Sequence, residues 1–148
     1  MFTKACEYGI RACLIVAQYS LNETRISLKE IAKLVDSPEA FTAKILQKLV
    51  KSKILYSIQG PQGGFGMTPE NIKNTTLERI VYAIDGDSSY TACVLGLKDC
   101  SDTNPCPAHK KYKFIKAEFL EMIHKTTVDE MVNDIENGLA FLKNNTGC

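Results

Sequence analysis

Residues 27–67 leave a chain of this size few ways to fold, because two short helical patterns are followed at once by a glycine-rich reversal. Ser27 and Glu30 form a capping box ahead of Leu28, Ile31, Ala32 and Val35, so a short helix opens there and ends at Asp36. Ser37, with Pro38 at the first helical position, opens a second helix whose buried face is Phe41, Ile45, Leu46 and Leu49. Two short helices around a tight turn predict a helix-turn-helix, with Glu39, Ala40, Ala43, Lys44, Gln47, Lys48 and Lys51 facing outward. Ile54–Ile58 then favours a strand, Gln59–Gly64 a flexible turn, and Phe65 and Met67 a returning strand. A hairpin in that place is a wing, and its glycines let main chain approach a phosphate or a minor groove. It is not a nucleotide cradle, since no GKS or GKT ending follows and the turn leads into a strand.

The rest of the chain frames this unit with helices. From Thr3 to Ser20, residues Cys6, Ile10, Cys13, Leu14, Ala17 and Leu21 recur on one helical stripe, which makes Cys6 and Cys13 core residues. Glu7 and Arg11 stand four apart beside it and are placed to pair. Thr75 and Glu78 form another capping box before Leu77, Ile80, Val81 and Ile84, and Asp85 and Gly86 stop that helix. A long pattern from Pro107 to about His124 carries Ala108, Tyr112, Ile115, Phe119, Met122 and Ile123 on one face. That stripe either packs back on the core or meets a second chain. His124 is a favourable charge at the helix end. Thr126 or Thr127 caps a last helix with Val128, Met131, Val132, Ile135, Leu139 and Leu142, and residues 144–148 are expected to fray. The fold class is therefore mainly α with a small β-hairpin wing. Its expected divisions are a winged helix-turn-helix head (1–86), a cysteine-rich loop (87–109) and dimerisation and C-terminal helices (107–148).

Between head and tail lies CVLGLKDCSDTNPCPAH, residues 93–109. Six residues separate Cys93 from Cys100, five separate Cys100 from Cys106, and two separate Cys106 from His109. Three thiolates and an imidazole are soft to borderline donors, suited to zinc or an iron–sulfur cluster and not to calcium or magnesium. The loop has little apolar reason to be ordered, so a metal centre would order it. Nothing at the N-terminus reads as a signal peptide and no run approaches membrane-spanning length, so a cytoplasmic setting is expected, where clustered cysteines bind metal or sense redox state. Net charge is +1, but residues 1–60 hold nine Lys/Arg against five Asp/Glu, whereas the remainder holds nine against twelve. A basic head on an acidic remainder is compatible with nucleic-acid binding at one end.

Taken in order, EYGIRA in the first helix, GPQGGF in the wing, LERIVYAIDG, the cysteine loop and TTVDEMVND resemble the IscR/NsrR-type winged-helix regulators, the Rrf-two family. The resemblance covers nearly the whole length. It implies a homodimer held by the helix after the cysteine loop, a roughly palindromic double-stranded DNA operator, and an iron–sulfur cluster that sets DNA affinity. It places Cys93, Cys100 and Cys106 on the cluster cysteines. The fourth ligand is His109 if the IscR pattern with a [2Fe–2S] cluster holds, and Glu7 of the partner subunit if the NsrR pattern with [4Fe–4S] holds. His109 and [2Fe–2S] are favoured. In a bound dimer the helix from Ser37 would enter the major groove, with Glu39 and Ala40 in its first turn, Lys44 and Gln47 toward bases and Lys48 and Lys51 toward phosphates. Gln59, Gly60 and Gln62 of the wing would lie on the minor groove, with half-sites ~34 Å apart.

Two features depart from the family pattern. Gln59 stands where an arginine is common before the glycine turn, and the gap between the first two cysteines is one residue longer than usual. Competing readings are a cluster-free thiol/disulfide switch on the same fold, a zinc-stabilised module, and an enzyme with Cys106 as nucleophile and His109 as base. No substrate-pocket or oxyanion motif accompanies the last, so neither enzyme activity nor a small-molecule substrate is expected.

Overall fold

The protein, described over residues 2–143 in a computed structural model, is organised around α1 (Lys4–Leu21). Thr3 caps this helix, its hydroxyl accepting from the Cys6 amide at 3.1 Å. Cys6, Cys13, Leu14 and Ala17 are buried as their spacing predicts, while Leu21, at the last turn, is 49% exposed. The Glu7 carboxylate takes Lys4 at 3.1 Å, and Arg11 lies instead over the Tyr8 ring, 5.0 Å from its centroid.

Helix α2 (Leu28–Val35) is capped by Ser27 and ends at Asp36, which adopts the left-handed conformation at φ 55°. Helix α3 (Glu39–Lys51) starts one residue later than its sequence suggests. Pro38 is extended and occupies the cap position with no side-chain bond. Ser37 is not the cap: its amide donates back to Ala32 at 3.0 Å, closing α2, and its hydroxyl has no partner. Strands β1 (Tyr56–Ile58) and β2 (Gly64–Gly66) pair antiparallel, with Ser57 opposite Phe65. The loop before α2 joins this hairpin, since Ile26 and Phe65 exchange main-chain bonds of 3.1 and 2.8 Å.

The return strand stops at Gly66, before Met67, because the Met67 amide turns to the Ser20 hydroxyl at 2.9 Å. A helix that the apolar pattern does not announce, α4 (Pro69–Asn74), follows under a Thr68 cap. Helix α5 (Leu77–Asp85) is capped by Thr76, not Thr75. Main-chain pairing is the reason. Thr75 accepts from Val128 at 2.8 Å and Leu77 donates to Thr126 at 2.9 Å, so both Thr-Thr junctions are held together. The Glu78 carboxylate is likewise withdrawn from a capping box and binds His124 Nδ1 at 2.7 Å.

After α6 (Ser88–Thr91) and the cysteine loop come α7 (His109–Lys125) and α8 (Val128–Glu136). Thr127 and Glu130 form a full capping box at α8. Val128 and Val132 are fully buried in the same core as Val16, Leu46, Leu49, Ile80 and Val81, so α8 packs onto the head. Leu139 lies beyond the helix and is 76% exposed. The fraying expected for residues 144–148 lies outside the described residues.

Candidate nucleic-acid interface and cysteine centre

Helix α3 buries Thr42, Ile45, Leu46 and Leu49, which turns Ala40, Lys44, Gln47 and Lys51 to the opposite side at helical spacing. All four are exposed, as is Glu39 in the first turn. Lys48 sits at the edge of this face and is directed inward: its ammonium donates to the Ile84 carbonyl at 3.0 Å, near the C-terminal end of α5 where a cation is favoured. Phe41, on the same flank, meets Tyr8 edge-on at 5.9 Å.

The wing tip presents Gln59, Gly60 and Gln62 to solvent. Gly60 has φ 98°, and its carbonyl accepts from Gly63 at 2.9 Å to close the turn. A Cβ at Gly63 would lie 2.0 Å from the Ile58 carbonyl oxygen, a main-chain atom that cannot swing away. Gly63→Ala is therefore expected to spring the hairpin and weaken DNA binding by about tenfold, equivalent to ~1.4 kcal/mol. The thermal midpoint should fall less, because β1 is exposed and the turn lies outside the head core; anisotropy titration beside a melt separates the two effects. Beside the tip lies Arg25, absent from the site expected by sequence, donating through Nη2 to the Gln62 carbonyl at 2.8 Å. No motif marks it, because the contact depends on the pairing of Ile26 with Phe65.

The second site begins at α6 and ends at the first turn of α7. Cys93 is buried, Cys100 and Cys106 are half-buried, and His109, the first residue of α7, is 7% exposed. The loop brings these donors together as two pairs. The Cys106 thiol lies near that of Cys93 and helps to lower it. Cys100 Sγ lies 3.5 Å from His109 Nδ1. Among the described residues no three such donors already converge on a single-ion site.

The thiols are not alike. A main-chain bond from Leu95 pulls Cys93 below the ordinary thiol range, assisted by Leu97, the Cys106 thiol and Lys116, against an opposing effect of burial. Burial, with Asp85 and Glu7 nearby, pushes Cys6 up to about 12, and burial raises Cys13 as well. The core thiols are thus shifted away from reactivity, and Cys93 is the loop thiol shifted toward it. All five described cysteines are free.

Asp102 is a member of this centre that the ligand spacing does not reveal. Its carboxylate binds Lys113 at 2.7 Å and His109 Nε2 at 2.9 Å, and the Lys113 bond, followed by that of His109, holds it below the usual carboxylate range. A carboxylate only accepts, so Nε2 carries a proton toward Asp102, and Nδ1 is the ring nitrogen that faces Cys100. Donor chemistry and ring orientation both fit a soft metal centre. The alternative ligand Glu7 is on α1, half-exposed and paired with Lys4. The imidazole meets Cys100 and not Cys106, unlike the nucleophile–base pair of the enzyme reading.

Helix α7 does not pack back as a whole. Of its stripe, Ile123 is fully buried and Phe119 meets Phe2 at 5.3 Å, but Ile115 is 57% and Met122 46% exposed, beside Phe114 at 74%. Among the described residues no helix is long and apolar enough to cross a membrane.

Comparison with known proteins identifies the family. Residues 2–134 match the Rrf2 family, described as "Iron-dependent Transcriptional regulator". A chain of Aquifex aeolicus named as an HTH-type transcriptional regulator is 33% identical, over 88% of this chain and 92% of its own. The HTH-type transcriptional regulator IscR of Vibrio vulnificus is 22% identical, over 90% of this chain and 78% of its own. Among solved structures, T. potens IscR superposes with a TM-score of 0.70 at 20% identity, covering 97% of this chain and 93% of its own. CymR, the global cysteine regulator of B. subtilis, does so with 0.70 at 19% identity, covering 90% and 96%. The chain belongs to the Rrf2 family and is a transcriptional regulator, not an enzyme.

Proposed function

We propose that this regulator binds a two-fold DNA operator as a homodimer in the cytoplasm, and that an iron–sulfur cluster at Cys93, Cys100, Cys106 and His109 sets its affinity. The observation that carries the reading is the meeting of Cys100 Sγ with His109 Nδ1 at 3.5 Å in the loop that also holds Cys93 and Cys106. A [2Fe–2S] cluster takes two protein ligands at each iron, whereas a structural zinc ion takes four at one point. Asp102 would fix His109 for its role, as second-shell carboxylates do for metal-bound histidine. A [4Fe–4S] cluster completed by Glu7 of the partner subunit is the alternative. When bound, the cluster supplies a redox couple and a lability toward oxidants, nitric oxide or iron loss. The protein's part is to convert loop order into the posture of α7, which starts at His109.

On this reading residues 1–86 are the DNA-reading head, 87–109 the sensor and 107–148 the dimerisation segment, from which α8 returns to the head core. Lys44, Gln47 and Lys51 would face the major groove, Ser37, Glu39 and Ala40 the entry of α3, and Gln59, Gly60 and Gln62 the minor groove. Lys48 would contact phosphate only by leaving the Ile84 carbonyl.

A cluster-free thiol switch is favoured by one observation, the lowered Cys93 thiol with the Cys106 thiol near it. Under that reading a two-electron oxidant such as a peroxide would join them as a disulfide.

The test is operator affinity of the anaerobically reconstituted protein against the cluster-free, fully reduced protein, using duplexes selected from a randomised library. Cluster sensing predicts a difference of about tenfold or more, and its loss in His109→Ala but not in Glu7→Ala. Equal affinities, with a change only on disulfide formation, would favour the thiol switch.

A further inference from the structure

Residues 54–67, the whole wing with its flanks, contain no charged side chain, so the hairpin by itself offers DNA only main chain, two glutamines and hydroxyls. Affinity for a duplex comes largely from cations placed on phosphates, and a narrow minor groove concentrates negative potential. A wing without charge is poorly equipped for that groove.

The structure places one cation on it from elsewhere in the chain. Arg25 precedes Ile26, whose two main-chain bonds to Phe65 make the α1–α2 loop a third, single-residue strand of the wing. The approach is close: a Cβ at Gly64 would lie 2.8 Å from the Ile26 carbonyl and 3.3 Å from Arg25 Cβ. From there the guanidinium reaches the tip and donates one hydrogen bond to the Gln62 carbonyl at 2.8 Å. Arg25 is exposed and forms no ion pair among the described residues, so its charge is uncompensated and its other N–H groups are open to a ligand. One bond to main chain also preorganises the fork, which lowers the entropy lost when it meets a phosphate.

We propose that Arg25 is the wing's DNA-contacting cation, engaging the backbone at the minor groove beside Gln59 and Gln62. Charge and hairpin are thus supplied by two separate segments and assembled by the Ile26–Phe65 bridge. This inference rests on the DNA-binding reading and goes beyond it, since that reading draws its contacts from Ser37, α3 and residues 59–62 alone.

The test uses full-length protein, a duplex selected by the wild type from a randomised library, and titrations from low to moderate salt. Arg25→Gln is expected to weaken binding by about tenfold and to flatten the slope of log affinity against log salt by about 1 for each subunit's lost contact. Arg25→Lys keeps the charge without the fork and should retain the slope. Thermal melts of each variant show whether the head remains folded. An Arg25→Gln protein that melts like wild type and binds with an unchanged slope would overturn the proposal, even if weaker, because Arg25 would then only hold the wing's posture. If the wild type selects no duplex, the DNA-binding reading falls as well; a loss confined to the Arg25 contribution leaves that reading standing.

Discussion

If the proposed homodimer forms through α7, Ile115→Asp combined with Met122→Asp is expected to give a monomer and to lower operator affinity by at least about a hundredfold. The two residues stand seven apart on one face of α7, 57% and 46% exposed in the single chain, with Phe114 at 74% beside them. A helix that leaves such side chains in water while the head core is filled has its apolar face available for a second copy of itself. Placing carboxylates on that face would bury unpaired charge in such a contact, at a cost of several kcal/mol. A monomer retains each half-site contact but loses the effective concentration that links the two, worth 10²–10⁴-fold. Sedimentation or light scattering gives the first result and operator titration the second. The melt of the head should change little, because these positions lie outside its core. A variant that remains dimeric would move the dimer contact away from this face.

The second large effect is expected from replacing Cys93, Cys100 and Cys106 together with serine. Operator affinity should become indifferent to anaerobic reconstitution, erasing a difference that for a hundredfold switch corresponds to about 2.7 kcal/mol. Cys6→Ala and Cys13→Ala serve as the controls, because both thiols are buried in the head core and shifted away from thiolate. These two should lower stability through lost packing while leaving the switch intact. Equal loss of switching in core and loop variants would point to general destabilisation.

Much of the architecture was legible because it follows from periodicity. Helices α1, α2, α3, α5, α7 and α8 each carry an apolar stripe or a cap that announces them, and the glycine turn forces the hairpin. The misplacements occurred where tertiary hydrogen bonds compete with local capping. Ser37 yielded to Pro38 because its amide finishes the preceding helix, and Thr75 yielded to Thr76 because its carbonyl is held by Val128. Helix α4 has an ordinary start signal in Thr68 and Pro69 but no apolar stripe, since the six-residue segment buries only Ile72. At the candidate sites, donor types and spacing could be read directly. The roles of Lys48 and Arg25 could not, because each depends on which distant segment its side chain meets, and that of Asp102 could not, because it depends on how the irregular loop folds back onto α7.

The measurement that bears most directly on the central claim is iron and acid-labile sulfide per subunit, with a visible absorption spectrum, on wild-type protein purified without oxygen. The account predicts coloured protein with matched iron and sulfide near two of each per subunit for [2Fe–2S]. Colourless protein that stays empty after anaerobic reconstitution, or zinc without sulfide, would contradict it.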